Sequence, residues 1–415
     1  MWYNLPSGGG KRALHDQVRG LLARGHQVEV WCPPTADRSY LRLGEMVREH
    51  VVPLPLSTLP KSGLSKLRLL YWHAPTQLRA MERHCGRCAE EINASGFDLL
   101  FAASCRFFAT TPIGRFSTIP SVLYLQEPGR RLYESWPQLP WLAPSWTPKD
   151  WIDTGFWRKM LISQLTFPGI RIQGREERRN AQAFDDILVN SYFSRESVLR
   201  AYGLDSKVCY LGVDADKFVD HHRQREPIAV SIGAFVPEKG VEFIIRAVAR
   251  VTAAVRPKLC WIANIVYPGY DVEMRRLAAD HHVDLELKYR LPDSEMIDIL
   301  NRARMMLYAP RLEPFGFAPL EANACGLPVI AVAEGGVRET VDDGVNGILV
   351  EHDAENMASA IQRLALDDTL AASLGQNGRQ LVQTNWSLPS SIERLESRLK
   401  ATLGRAMGQK PMPLK

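Results

Sequence analysis

Two carboxylates, eight residues apart, bracket a glycine turn in Glu313-Pro-Phe-Gly-Phe-Ala-Pro-Leu-Glu321. An apolar run, residues 303–309, precedes them and reads as a buried strand. The first glutamate then falls in the loop leaving the strand's C-terminal end, and the second in the early turns of the following helix. Open α/β sheets take their ligands at that position. Carboxylates are strong acceptors, so the pair suits sugar and ribose hydroxyls, while N–H groups at the helix start suit a phosphate. Either glutamate alone reads as a solvated helix-cap carboxylate. The weight lies in the order: strand, Glu, glycine turn, Glu on a helix, Gly326-Leu-Pro, a strand from Val329, then Gly335-Gly336, Glu339 and Gly344 to Val350.

Three other places carry chemistry. Ser7-Gly8-Gly9-Gly10-Lys11 precedes a helical pattern from Arg12 to Arg24, so its amides can meet an anion at a helix N-terminus; a plain tight turn is the competing reading. A P-loop does not fit, since Leu5 and Arg12 stand where a glycine and a Ser or Thr are needed. Gly233 closes a strand and leads to Lys239-Gly240, a cation at a phosphate-binding position that is otherwise a solvated helix-end lysine. Strand Ser121 to Gln126 ends in Gln126-Glu127-Pro128, and glutamine can hydrogen-bond but cannot shuttle a proton near neutrality. Glu127 either orients an acceptor or pairs with Arg130. His84 with Cys85 and Cys88 lacks the second ligand pair that a structural zinc site needs.

Positioning these groups requires parallel sheets. Strand-like runs alternate with helical patterns at Val28–Cys32, Val51–Leu54, Asp98–Ala103, Ser121–Gln126 and Asp186–Asn190. They resume at Ile228–Gly233, Leu259–Asn264, Leu285–Tyr289, Met305–Ala309, Val329–Val332 and Ile348–Val350. Met1 to Leu5 reads as the tail of a first strand, either a short strand or one that begins upstream. A polar break between Leu211 and Glu226 reads as a linker, and a helix from Trp386 to Gly404 closes the chain. At 415 residues two domains are expected. Seven scattered cysteines, and no signal-like or spanning apolar run, point to the cytosol.

Charge is uneven. Residues 1–212 hold 27 Lys and Arg against 19 Asp and Glu, while the remainder is slightly acidic. Lys61, Lys66, Arg68, Arg79, Arg83 and Arg87 form one basic stretch; Arg171, Arg175, Arg178 and Arg179 form another. They read as solvated helix faces or as attraction to anionic head groups or a phosphorylated acceptor. Nucleic acid is not expected, because no recognised aromatic and basic module accompanies the charge. Trp136, Trp141, Trp146, Trp151 and Trp157 lie among prolines at non-helical spacing and lead into a short basic, apolar helix at Phe156 to Ile162. They suit a hydrophobic acceptor platform, an interfacial anchor or a packed loop.

The block from Glu313 to Val350 resembles the donor-site signature of group 1 (family 4) retaining glycosyltransferases. That resemblance implies a GT-B fold: two facing Rossmann-like doubly wound domains with a cleft between them. It places an acceptor-side domain at 1–212, joined by a C-terminal helix (386–415) crossing back, and a donor domain at 213–385. It implies transfer of a hexosyl unit from a nucleoside-diphosphate sugar to a glycan, lipid-linked or small-molecule acceptor, with no cofactor and no metal. Donor contacts carried over are Gly8, Gly9, Gly10, Gly233, Lys239, Glu313, Phe315, Gly316, Phe317 and Glu321; Glu313, Lys239, Gln126 and Glu127 are the candidates for catalysis. Two departures stand out. Ala234 replaces an arginine, leaving Lys239 with more of the diphosphate and Arg311, Lys11 or Arg12 as candidate partners; Gln126 replaces a histidine. The competing expectations are a catalytically degenerate sugar-nucleotide binder or scaffold, and a nucleotide-sugar epimerase on the same fold. A cytoplasmic protein with peripheral contact to an anionic membrane completes the expectation.

Overall fold

The computed structural model describes residues 1–56, 64–134 and 153–408, with main chain alone for 64–73 and 407. In the first part of the chain the elements run β1 (Trp2–Asn4), α1 (Gly9–Ala23), β2 (Val30–Cys32), β3 (Glu49–Val51), α2 (Leu64–Ala94), β4 (Leu100–Cys105), β5 (Ser121–Tyr124), α3 (Arg130–Tyr133), α4 (Thr154–Gln182), β6 (Asp186–Val189), α5 (Tyr192–Tyr202) and β7 (Lys207–Val208). Then come β8 (Ile228–Ile232), α6 (Val241–Arg250), β9 (Lys258–Ala263), α7 (Tyr270–Asp280), β10 (Leu285–Tyr289), α8 (Asp293–Arg302), β11 (Met305–Tyr308), α9 (Phe317–Ala324), β12 (Val329–Val332), α10 (Val337–Thr340), β13 (Gly347–Val350), α11 (Ala354–Leu366), α12 (Asp368–Asn385) and α13 (Leu388–Gly408).

Two compact units result. One comprises Met1–Val189, Ser194–Val208 and the chain from Leu395; the other comprises Asn190–Phe193 and Cys209–Arg394. The first unit's described residues form a sheet ordered β3-β2-β1-β4-β5-β6-β7, and the second unit's a sheet ordered β10-β9-β8-β11-β12-β13. Every strand pair is parallel, with registers such as Leu123 opposite Ile187 and Ile330 opposite Ile348. Both sheets are doubly wound, the fold class the sequence implied. Strand order reverses between β1 and β4 in one and between β8 and β11 in the other, and ligands bind at such points.

Parallel strands covered on both faces are mostly apolar, and these are: β5, β6, β11 and β12 are buried along their whole lengths, with Ser121 and Asp186 the polar residues that open β5 and β6. Helices meet them with one apolar stripe, as where Val241, Ile244, Ile245 and Val248 of α6 pack into the second core. Trp2, Trp31, Met81 and Leu123 anchor the first core. The expected strands appear, shifted by up to two residues at their ends, except that the strand expected at Val51–Leu54 lies at Glu49–Val51 instead; β7 is an addition. The short helix expected after Phe156 is 29 residues long, running from Thr154 to Gln182 past an internal Pro168, so Trp157 and Arg171 to Arg179 share one helix. Trp136, Trp141, Trp146, Trp151 and Lys61, and the side chains of Lys66 and Arg68, lie outside the described residues. Among the described residues no helix is long and apolar enough to cross a membrane. The seven cysteines are unpaired and buried.

The last helix is tied to the first sheet by one carboxylate. Asp186, at the start of β6, accepts from Lys207 (2.8 Å), from buried Thr402 (2.7 Å) and from Arg405. Burial pushes its pKa up, but these donors outweigh it and hold the carboxyl below its ordinary value. A depressed carboxylate stabilises the fold above its unfolded pKa and loses that contribution as pH falls through its folded one. Asp186→Asn should therefore cost about 2 kcal/mol in urea unfolding at pH 7, and the cost should fall progressively as pH drops below the ordinary aspartate range; a cost independent of pH would show that charge is not what holds α13.

Candidate functional site

In the second unit the chain leaves β8 through Gly233 (φ 156°), makes a single 3-10 turn at Pro237–Lys239 and enters α6 through Gly240 (φ 74°). A methyl group at Gly240 would lie 2.2 Å from the carbonyl oxygen of Ala309, just past β11, so only glycine lets the two strand ends approach. Lys239 lays its stem over Gly233 and brings Nζ to 2.7 Å from Oε2 of Glu313. The structure thus joins two residues that are 74 positions apart in sequence and adjacent at the reversal of strand order.

The loop carrying Glu313 is fixed from several sides. Leu312 holds a left-handed φ of 48°, uncommon for a branched side chain and a mark of local strain. The Gly336 N–H donates to the Glu313 carbonyl at 2.7 Å, and methyl groups at Gly335 and Gly336 would stand 2.3 and 2.2 Å from the carbonyl oxygens of Glu313 and Pro314. Phe315 packs its ring against Tyr210 and Trp386, so its contribution to any ligand comes from main chain. Gly316 (φ 93°) opens α9, where Phe317 begins the helix and Glu321 sits buried in the second turn. Glu339 accepts from the N–H groups of Tyr192 and Phe193 and from the Tyr210 hydroxyl, each at 2.9 Å, which makes it a structural clamp.

Sequence reasoning missed Tyr308. It ends β11, buried, near Glu313 and Glu321; burial first and then these two carboxylates hold the phenol well above its ordinary pKa. The phenol stays protonated beside the Glu313 carboxylate, whose observed side-chain partner is the Lys239 ammonium. Only its place at a strand's C-terminal end could have signalled it. Of the cations expected to compensate for Ala234, Arg311 bonds Glu334 at 2.9 Å.

In the first unit, Gly8 (φ 138°) precedes α1 and accepts from the Arg12 N–H at 3.0 Å. Gly9 has open space where a side chain would be, whereas a methyl at Gly10 would meet Gln126 Oε1 at 2.8 Å. The glycine loop and Gln126 therefore lie together. Gln126 is set by Ser104 Oγ, which accepts from its N–H at 3.3 Å, and by Ser194, which donates to its carbonyl at 2.8 Å. Glu127 is half exposed and pairs with Arg130 at 3.7 Å. Arg12 reaches the Tyr40 hydroxyl instead of the glycine loop. Lys11 is fully buried, its Nζ over the Tyr3 ring at 4.0 Å and without a hydrogen-bond partner. Among the described residues no cluster of three or more His, Cys, Asp and Glu could hold a metal ion.

Glu177 is a second residue the sequence did not reveal. It lies buried on α4, accepts from Ala109 N–H (3.1 Å), Gln173 (2.9 Å) and Tyr202 (2.9 Å), and would block a methyl group at Gly129 at 2.7 Å. Burial raises its pKa against the lowering effect of these donors. It fastens the segment that follows β5, and with it the ground under Gln126.

The model of the family described as "Glycosyl transferases group 1" matches residues 213–381, and that of "Glycosyltransferase Family 4" matches residues 7–217. Among curated proteins, an alpha-1,3/1,6-mannosyltransferase of Rhizomucor pusillus is 29% identical over 202 residues, 41% of this chain and 44% of that protein. A GDP-mannose-dependent monoacylated alpha-(1-6)-phosphatidylinositol monomannoside mannosyltransferase of Corynebacterium glutamicum is 32% identical over 185 residues, 42% and 47%. The chain thus spans about half the length of the curated relatives it matches. Among solved structures, Anabaena HepE in complex with UDP and glucose superposes with a TM-score of 0.67 at 16% identity, covering 96% of this chain and 99% of that one. Sucrose-phosphate synthase from Thermosynechococcus elongatus gives 0.69 at 20% identity, covering 97% and 95%. These likenesses establish the fold.

Two measurements test the geometry. Gly336→Ala, at an ordinary φ, should destabilise by about 1–3 kcal/mol through overpacking on Pro314; unchanged urea stability would show that the two loops do not pack as described. Burial lowers the Lys11 pKa, against the upward pull of Glu49, to about 8 from 10.5. Between those values the unfolded chain holds the proton that the folded one has lost, so this lysine's penalty shrinks as pH rises. Lys11→Met should be more stable than wild type at pH 7, and the gap should narrow by pH 10; a constant gap would place Lys11 in water.

Proposed function

Because this chain belongs to the group 1, family 4 glycosyltransferases, we propose that it transfers a hexosyl unit from a nucleoside-diphosphate sugar to a glycan, lipid-linked or small-molecule acceptor with retention at the anomeric carbon. The observation that carries this reading is the 2.7 Å contact between Lys239 and Glu313 at the strand-order reversal of the second sheet. Departure of a diphosphate builds negative charge, which a fixed ammonium stabilises more in the transition state than in the ground state. When the donor enters, Lys239 turns from Glu313 to the phosphates, and Glu313, beside protonated Tyr308, accepts from sugar hydroxyls. Glu321 takes the ribose, and the main chain of Phe315, Gly316 and Phe317 lines the sugar. Gly233 leaves room beside the Lys239 stem.

On the first unit, Gly8, Gly9 and Gly10 offer amides to an anion, with Gln126 beside them. A glutamine cannot serve as base, so the leaving phosphate itself takes the acceptor's proton on the face it departs from, which is how retention arises here. Glu127 orients the acceptor from its place beside Arg130. Charge on the diphosphate is met by Lys239 and N–H groups instead of a divalent ion or a cofactor. Seven unpaired, buried cysteines support a reducing, cytoplasmic setting. The mannosyltransferase names of the relatives make GDP-mannose the first donor to try.

Purified protein should release GDP slowly from GDP-mannose, or the corresponding diphosphate from another member of a UDP-, GDP- and ADP-sugar panel. Glu313→Gln and Lys239→Ala should each lower kcat by about 10²–10³. EDTA should leave the rate unchanged, and NMR of the transfer product should show the donor's anomeric configuration. Binding without turnover would favour a degenerate sugar-nucleotide binder, an inverted product would end the retention reading, and loss of activity in EDTA would require a metal.

A further inference from the structure

We propose that the groove between α3, α4 and α5 of the first unit seats the head group of one anionic phospholipid, docking that unit on a bilayer. The groove encloses about 690 Å³, the size of a small-ligand site. Its floor is apolar, with Leu132, Tyr133, Phe167 and Ile170, and its rim carries Arg171, Arg175, Arg178 and Arg179, with no carboxylate among the lining residues. None of the residues assigned to the donor lines it.

Neighbouring carboxylates neutralise the four arginines only in part. Glu176, buried beside them, pairs with Arg175 at 2.7 Å and Arg179 at 3.9 Å, while Arg115 divides itself between Glu82 at 2.8 Å and Glu176 at 3.5 Å. Arg171 lies 5.8 Å over the Phe167 ring, and neither Arg171 nor Arg178 makes an ion pair among the described residues. Arg171, Arg175, Arg178 and Arg179 are all exposed, and guanidinium forks suit phosphate oxygens.

The same helix carries an apolar counterpart. Trp157 is 46% exposed and Leu161 51% exposed, beside Arg158 and Lys159. Positions 157, 164, 171 and 178 recur every seven residues, two helical turns, and 161 and 175 lie one turn beyond 157 and 171. Trp157, Leu161 and the arginines therefore share one face of α4. Trp and Leu favour the head-group level, and arginines favour lipid phosphate. Apolar contact or charge alone holds a protein only weakly at a bilayer, and this face supplies both. The phosphate sits among the arginines and the first methylenes lie on Tyr133, Phe167 and Ile170. A lipid-linked acceptor would reach the enzyme from the same surface.

The test uses the full chain and sedimentation with sucrose-loaded vesicles of phosphatidylcholine, with and without phosphatidylglycerol. Binding should require the anionic lipid and weaken with salt. Arg171→Gln with Arg175→Gln should lower vesicle partitioning about tenfold or more, as should Trp157→Ser with Leu161→Ser. Arg246→Gln with Arg276→Gln, which removes equal charge from exposed helices of the second unit, should leave it intact. Equal binding to both vesicle types, retained binding in the groove variants, or equal loss in the charge-matched control would overturn the proposal. So would displacement by inorganic phosphate beyond that of chloride at equal ionic strength, which would make the groove a site for free phosphate. Donor hydrolysis in solution should be unchanged in every one of these variants, so failure of the transferase reading and failure of the groove are read by separate assays.

Discussion

Lys239 reaches Glu313 because main-chain turns at the ends of β8, β11 and β12 approach at distances that a methyl group would prohibit. Gly240 rests on the carbonyl of Ala309, and Gly335 and Gly336 rest on those of Glu313 and Pro314. Remove any of these approaches and the carboxylate-bearing loop must lift from its neighbours, taking Glu313 away from both Lys239 and Tyr308. Strain at Leu312 belongs to the same constraint: a left-handed leucine persists only where its surroundings over-determine it, and here glycine contacts and the Gly336 hydrogen bond do so.

Within that frame the ion pair is poised, not locked. Lys239 is 28% exposed and Glu313 15% exposed, so water still reaches both, and a pair of this kind contributes on the order of 1 kcal/mol or less. In the proposed reaction an entering diphosphate, with more charge than one carboxylate, would displace Glu313 from the ammonium. Tyr308, buried and protonated at the end of β11, stays near that carboxylate.

Much of this was legible before the structure. Apolar runs alternating with helical patterns implied two parallel sheets, since strands covered on both faces have no other composition open to them. Glu313, Glu321 and Lys239 stood at strand ends and helix starts, where motif order alone located them. What stayed hidden depends on how individual side chains are turned. Tyr308 falls in the run that reads as a buried strand, yet nothing there marks its phenol as a neighbour of Glu313, and nothing near Glu177 marks it as buried. Lys11 follows three glycines and reads as a phosphate cation, yet the first turn of α1 rotates it over the Tyr3 ring. The length of α4 was obscured because Pro168, which normally ends a helix, is carried inside one.

Two buried glutamates show how one residue type serves two purposes. Glu177 accepts from donors in three separate segments while burial raises its pKa, so its value is geometric: it fixes the chain beneath Gln126 whether or not it carries charge. Glu321 occupies a helix turn beside Tyr308, where a carboxylate has been kept out of water without being moved to the core's interior. It stands in the helix that follows β11, next to the strand-order reversal of the second sheet, where open α/β sheets bind their ligands.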